Sequence, residues 1–363
     1  MSDGAVLTSA EIARRAGVST FTVSRALSGK SGVSEATRKR VLDLARSLGY
    51  RPNLPASWLG LRRRGAITKT PMVAFIGGSS WSSSLFMEAC GDLGYIGIWA
   101  SHRDAGRPSL WRELHARNVD GVILDARGHP SELQAALPHL RLDVYPAVKI
   151  GRGLPEIRTH LIRLSAFDYM WVSLEQVAAR GYRKIAVVLV RSISPRDNAA
   201  RLGAVLSFAE SRKAEGIHCF WSEVPTYAGD NRTNTRLARW IRQTRADAVL
   251  TMVWGQVPFL QAAGLRFPED VACASVLRPD DIETNWPGFG LDLAGCRTRE
   301  KEGFARALAL LGPMIASCDR GLPADPVESV LEPDWVDGAS LPLRELKISH
   351  KRLARPLSNH PQK

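Results

Sequence analysis

The chain has 363 residues, 45% of them hydrophobic, and a formal net charge of +13; that length suits two or three domains. The charge is uneven: residues 1–65 carry 12 Lys/Arg against 4 Asp/Glu, residues 344–363 carry 6 against 1, and residues 66–343 carry 31 of each. No apolar run reaches membrane length, no signal-peptide layout opens the chain, and the odd set Cys90, Cys219, Cys273, Cys296 and Cys318 contains no C-x-x-C pair, which points to reduced, mostly buried thiols of a cytoplasmic protein.

The first segment, SAEIARRAG (9–17), sets Ile12 and Ala16 four apart with Ala13 between them, a small apolar face at helical spacing. Ser9 can cap it by accepting a free N–H of the first turn, and Gly17 can take positive φ and end it, with Val18 filling the corner. In VSTFTVSRALSG (18–29), Ser19 is the next cap, and Val23, Ala26 and Leu27 face inward. A third helix is predicted in VSEATRKRVLDLARSLGY (33–50), capped by Ser34 and ended at Gly49, with Val41, Leu44, Ala45 and Leu48 inward. Two short helices joined by a glycine turn make a helix-turn-helix. The outer face of its second helix carries Ser19, Thr20, Phe21, Thr22, Ser24 and Arg25. Short hydroxyls can approach phosphates; arginine can grip guanine O6 and N7, and an apolar ring can touch a thymine methyl. The plain alternative is a solvated Ser/Thr-rich face. Three helices of fitting length, followed by a further signal, weigh against it.

That signal is GYRPNLPASWLGLRRRG (49–65). Pro52 breaks the third helix, Asn53 can cap a short new one, and Pro55 is tolerated in its first turn. Arg62, Arg63 and Arg64 would lie beside the DNA backbone. Over residues 7–61 the motifs I-A-x-x-A-G-V-S, T-V-S-R, VSE-TR-RV and LGYRPN run nearly without a break. Together they resemble the lactose-repressor family of bacterial transcription regulators. The resemblance implies a hinge helix that folds on double-stranded DNA and pushes a leucine, here Leu59, into the minor groove. An apolar wedge there unstacks a base step and bends the duplex. Pro55 and Trp58 depart from the family's good helix formers, and Ser28 stands where an asparagine is common.

The neutral core, residues 66–343, alternates apolar runs with helix-like stretches. Strands are predicted at 72–78, 95–100, 119–125, 145–151, 184–190, 246–252 and 271–276. Short, nearly all-apolar runs suit a parallel sheet covered on both faces, and the alternation is βαβ periodicity. Helix patterns include SLFMEACGDLG, PSELQAALPHL, AFDYMWVSLEQVAARGY, RLARWIRQTR and TREKEGFARALALLGPMIAS. The expected α/β organisation is therefore a helix-turn-helix domain (1–51), a hinge helix and linker (52–65), a two-subdomain core with a cleft (about 66–165 and 166–294, with 295–343 crossing back) and a basic tail (344–363). The tail reads as a solubilising end before a second nucleic-acid contact. The family resemblance implies the same core, similar to a periplasmic sugar-binding protein, and ARGYRKIAVV, ADAVLT, AAGLRFPEDVACASV and DWVDGAS carry its traces.

In the family the cleft holds a sugar, a nucleobase or a similar molecule. Here Ser165 stands at the family's aspartate position, Trp254 and Gly255 replace an asparagine–aspartate pair, and Asp337 replaces an arginine. GGSSWSSSLF (77–86) stands for a longer loop and helix. Arg201 keeps a family contact type, and Trp81, Arg201 and Trp254 are the candidate effector contacts, although most of the ten tryptophans must be core or interface. Either the ligand differs or the cleft is vestigial. Catalysis is not expected: GGSS lacks the ending of a phosphate loop, His102, His115, His129 and His160 show no metal spacing and read as surface or cap residues, and Asp280–Asp281 reads as a turn. No metal or cofactor is expected. The reading is a dimeric DNA-binding regulator, more often a repressor in this family, with or without a small-molecule effector; an enzyme targeted by the helix-turn-helix is the distant third.

Overall fold

A computed structural model describes residues 9–27, 32–47, 70–78, 80–127, 137–191, 194–225, 230–281, 288–317 and 321–344. The expected hinge segment, the basic tail beyond Arg344, Cys318 and most of PSELQAALPHL lie outside them.

Three helices open the chain: α1 (Ser9–Ala16), α2 (Thr20–Leu27) and α3 (Glu35–Ser47). Ile12, Ala13, Ala16, Val23, Ala26 and Val41 form their shared core, with Val18, Val33 and Leu44 packed against it. Gly17 has φ +64°. The N–H of Val18 bonds the carbonyl of Ala13 at 3.1 Å and that of Gly17 bonds Arg14 at 3.4 Å, the paired bonds of a Schellman cap. This turn aims α2 away from α1. Ser19 caps α2 by accepting the Thr22 N–H at 3.1 Å, and Ser34 caps α3 by accepting that of Thr37 at 3.2 Å.

The core is two six-stranded sheets. The first lobe runs β1 (Met72–Ile76), α4 (Ser80–Leu93), β2 (Ile96–Ala100), α5 (His102–Ala105), α6 (Pro108–Ala116), β3 (Gly121–Asp125), β4 (Ala147–Ile150) and β5 (His160–Leu164). The second runs α7 (Ala166–Ala179), β6 (Lys184–Val190), α8 (Pro195–Ser211), β7 (His218–Val224), α9 (Asn231–Thr244), β8 (Ala248–Val253), α10 (Val257–Ala262), β9 (Ala272–Arg278) and β10 (Ala294–Arg297). The chain then returns as α11 (Glu300–Ala316) and β11 (Glu328–Leu331) to the first lobe, and as β12 (Trp335–Val336) to the second. Strand orders are β11-β5-β4-β3-β1-β2 and β12-β10-β9-β8-β6-β7. All pairings are parallel except β10 with β12.

Alternation along each strand fills two layers. Val73 and Phe75 face α4 and α11, where Phe75, Phe86 and Phe304 meet with centroids 4.9–5.5 Å apart, while Ala74 and Ile76 face Trp111 and Leu114. In the second lobe Ile185 and Val187 pack under α7 and α8, and Ala186 and Val188 under α9. Of the thiols, Cys90, Cys273 and Cys296 are buried and Cys219 is half-buried. Burial pushes Cys90 up to about 12 and Cys219 and Cys296 up to about 11. Among the described residues no helix is long and apolar enough to cross a membrane.

Within GGSSWSSSLF, α4 opens at Ser80 and runs 14 residues. One expectation changes. His102 is not a surface residue: it is buried, with Nε2 2.7 Å from the Asp125 carbonyl. A Cβ on Gly77 would stand 2.7 Å from that of Asp125, so glycine serves close packing there.

Because Gly17 holds φ +64° with open space around it, Gly17→Ala is expected to destabilise the three-helix unit by about 1 kcal/mol through backbone strain alone. Faster amide exchange in residues 12–26, with exchange in the sheets unchanged, would show it.

Candidate functional site

On the three-helix unit, Ser19, Thr20 and Phe21 are exposed, and Thr22 and Arg25 half-buried. Phe21 is 68% exposed, unusual for so large an apolar ring. The Arg25 guanidinium lies 5.4 Å from its centroid, which restrains both side chains in one patch. Ser19 and Thr22 share a hydroxyl contact of 2.9 Å. The structure thus sets five of the predicted residues at the start of one helix. The side chain of Ser24, and Asn53 and Leu59 entirely, lie outside the described residues. On α1, Glu11 accepts from Arg14 and Arg15, and these bonds hold its carboxyl down at about 2.

The second site lies between the lobes. A cavity of about 710 Å³ opens where the strands of both sheets end, lined by residues of both lobes and by the crossing segments at Leu164–Ala166, Thr298–Glu300 and Leu331. Ligands in open α/β sheets bind outside the carboxyl ends of the strands. Six arginines line this cavity: Arg127, Arg152, Arg163, Arg191, Arg201 and Arg299.

Most of them are held by acids. Arg127 donates three bonds of 2.9–3.1 Å to Asp125 and one of 2.6 Å to Glu300. Glu300 also accepts from Ser82 at 2.9 Å. Burial opposes the ionisation of Asp125, but the charge and hydrogen bonds of Arg127 outweigh it and hold the carboxyl below its ordinary value. Arg152 reaches Glu328 at 2.9 Å, and Arg163 bonds the same carboxylate. Arg191 bonds Glu223 at 2.8 Å, and Arg299 bonds Glu302 at 2.7 Å and the Glu332 carbonyl at 2.8 Å.

Arg201, on α8, differs. Among the described residues it has no ion pair within 4 Å, and its Nε is buried without a hydrogen-bond partner. Burial pushes its guanidinium below the ordinary value, opposed by the charge of Asp197. Two more buried atoms lack hydrogen-bond partners, Arg152 Nε and Thr298 Oγ1. Both residues line the same cavity.

Of the other predicted contacts, Trp254 does not line the cavity: its ring meets Phe289 edge-on at 6.1 Å against the second-lobe core. The side chain of Trp81 lies outside the described residues. Ser165 caps α7 by accepting the Asp168 N–H at 3.3 Å. Asp337 pairs with Arg180 and accepts from Trp335 Nε1 at 2.8 Å. Five of the arginines were not singled out in the sequence. Arg127, Arg152, Arg191 and Arg299 each fall one or two residues past a strand's end, and that position was the available signal. Among the described residues no group of His, Cys, Asp and Glu could hold a metal ion.

A helix-turn-helix joined to two parallel-sheet lobes around a cleft defines a class of bacterial regulator. Residues 8–53 match the model of the bacterial regulatory proteins of the lacI family. The chain is 33% identical over 213 residues to the regulator PtxS of Pseudomonas putida, covering 56% of this chain and 59% of that one, so the match spans about three fifths of the relative. It is 26% identical over 299 residues to the regulator KdgR of Bacillus subtilis, covering 75% and 81%. The solved lac repressor dimer bound to operator and the anti-inducer ONPF aligns with a TM-score of 0.54 at 17% identity, over 93% of this chain and 99% of that one. Residues 8–53 thus carry the DNA-binding module of the lacI family, and the chain as a whole is similar to transcription regulators of that family.

Removing Arg127 leaves Asp125 buried without its cation, so Arg127→Met is expected to cost about 3–5 kcal/mol at pH 7. The Asp125 carboxyl is depressed in the folded state. Its contribution is therefore present above its unfolded pKa of about 4 and lost as pH falls through the depressed folded value. Thermal unfolding against pH is expected to show the variant's deficit narrowing below about pH 4.

Proposed function

We propose that the protein is a sequence-specific DNA-binding transcription regulator, a repressor, that holds a near-palindromic operator as a homodimer and responds to a small molecule in the cleft. The observation that carries the DNA-binding reading is the exposed Phe21–Arg25 patch on the second helix of a helix-turn-helix within the segment that matches the family model. In such a motif that helix enters the major groove, and dimers read two half-sites a helical turn apart. Asn53 and Leu59 would act where the hinge meets the minor groove.

The dimer is supported by the sheet edges. Strands β2 and β7 end their sheets, and Ile96, Trp99 and Trp221 on them, with Met87 on α4 and Leu206 on α8, are exposed. Exposed large apolar side chains on and beside the edge strands suit an association surface. The effector role is supported by a cavity formed by both lobes, because a ligand that fits only one closure angle shifts the balance between the two. A regulator without an effector is the second reading, favoured by the local bonds that occupy Ser165 and Asp337.

Selection from a random duplex library is the test: an enriched two-fold symmetric site supports the reading, and the absence of any enriched sequence overturns it. Arg25→Ala is expected to weaken the selected site by about 1–3 kcal/mol, measured as a shift in Kd at fixed salt. Trp221→Glu is expected to shift the sedimentation equilibrium toward monomer and to weaken operator binding with it.

A further inference from the structure

Helix α9 (Asn231–Thr244) buries Asn234, Leu237, Ala238 and Ile241 against the second lobe and leaves Arg232, Arg236, Arg239 and Arg242 exposed. Residues 231–246 hold these four arginines, the exposed C-cap Arg245, and no acid. The first three stand at i, i+4 and i+7 and so share one face, with Arg242 on its flank. At a rise of about 1.5 Å per residue, the row runs on the order of 15 Å from Arg232 to Arg242.

Like charges at this spacing destabilise a helix. Arg117, Arg212, Arg266 and Arg306 show the usual remedy, an acid three or four residues away: Glu113, Glu215, Asp270 and Glu302. Among the described residues the α9 arginines form no ion pair, and Arg242 donates instead to the Gly264 carbonyl at 2.7 Å. The acids whose charge reaches them are engaged. Asp230 caps the helix by accepting the Thr233 N–H at 2.6 Å, and Asp270 holds Arg266 at 2.6 Å.

The last described residue of the chain stands at the end of this helix. Arg344 donates to Asp247 at 2.8 Å, two residues past the C-cap of α9. Its guanidinium lies 5.2 Å from the centre of the Tyr182 ring, and its N–H bonds the Arg180 carbonyl at 2.9 Å. This point is at the amino ends of β6 and β8, whereas the cavity lies at the strands' other ends. From here the sequence continues as ELKISHKRLARPLSNHPQK, and residues 344–363 carry 6 Lys/Arg against 1 Asp/Glu. The root of one basic segment therefore lies against the end of another that is far from it in sequence.

The pattern points to the partner. A row of cations matches a line of negative charge better than a single anion. Duplex DNA is such a line, with one charge per about 1.7 Å of its axis, and a guanidinium can hold phosphate through two parallel bonds. Residues 8–53 already match a DNA-binding module, so duplex is at hand where the protein acts. We propose that α9 and the basic tail form a second nucleic-acid contact, which takes the phosphate backbone of duplex DNA without regard to sequence. Phosphate contacts position a protein and carry no sequence information. This surface uses neither the recognition helix nor the cleft, and it needs no effector.

The test is fluorescence anisotropy of the full-length protein with a random-sequence duplex over a range of salt concentrations. One variant combines Arg232→Gln, Arg236→Gln, Arg239→Gln and Arg242→Gln. A second combines Lys347→Gln, Lys351→Gln, Arg352→Gln and Arg355→Gln. A third, Arg107→Gln, Arg112→Gln, Arg117→Gln and Lys213→Gln at exposed positions elsewhere, removes the same net charge. Binding through the helix-turn-helix is a background common to all. The slope of log K against log salt is expected to fall by about 0.9 for each lost phosphate contact, roughly 2–4 in each of the first two variants and under about 1 in the third. The first variant's Tm is expected at or above the parent's, because like charges have been removed from α9. Lysine at the same four positions is expected to restore the slope. An unchanged slope in the first variant overturns the proposal, and an equal fall in the third overturns it in favour of net charge alone. An unchanged slope in the second overturns the tail's part. If all bind the duplex alike while polyglutamate binds the parent and not the first variant, the partner is an acidic polypeptide and the proposal falls. Selection of an operator is read separately, so the operator reading stands or falls apart from these outcomes.

Discussion

The core depends on three side-by-side passages of the chain between its lobes. The first follows β5, the second joins β10 to α11, and the third joins β11 to β12. Tyr169, at the start of α7, ties the later two: its buried hydroxyl stands 3.2 Å from both the Arg297 and the Glu332 carbonyls. Arg299 adds a bond to the same Glu332 carbonyl. Hinge motion is absorbed by a few residues at the ends of elements. Here Leu164, Ala166, Thr298, Arg299, Glu300 and Leu331 of these passages also line the cavity.

A cluster of buried Asp125, Glu300 and Ser82 around the partly exposed Arg127 sits at the edge of this strip. It joins the end of β3 to the first turn of α11, and so fixes the helix that returns from the second lobe onto the first sheet. A buried ion pair seldom adds net stability over an apolar replacement. Its effect is geometric: it sets where α11 begins, and with it the register of the crossing. The same low dielectric that makes this cluster demanding makes the buried Nε of Arg201, without a hydrogen-bond partner, costly. A paired cluster and a cation without an ion pair among the described residues thus line one cavity.

Much of this was legible in the residues, and the exceptions have physical causes. Strands β1, β3, β6, β8 and β9 are buried on both faces and read as continuous apolar runs. Strands β5, β7 and β11 escaped the reading because charged or polar residues interrupt them, and β12 because it is two residues long; β7, β11 and β12 also lie at sheet edges. Strand β10, AGCR, is too short and small to stand out. The recognition face was readable because its residues are neighbours on one helix, with the exposed Phe21 among them. The cleft between the lobes was expected, but five of its six arginines were not, because they come one at a time from separate segments and carry no periodicity. Trp254 misled for a related reason. A large ring in a loop signals a stacking surface as readily as a core filler, and Trp254 packs on Phe289.

The thiols carry a consequence of a different kind. A thiolate is the reactive form of cysteine, and burial holds Cys90, Cys219, Cys273 and Cys296 far above neutrality in the protonated form. Buried Cys90, Cys273 and Cys296 are therefore poor targets for peroxide and for maleimide alike, and half-buried Cys219 is the more accessible of the four. A spectroscopic label placed on an introduced surface cysteine in each lobe would report the distance across the cleft with little interference from the native sulfur of the sheets.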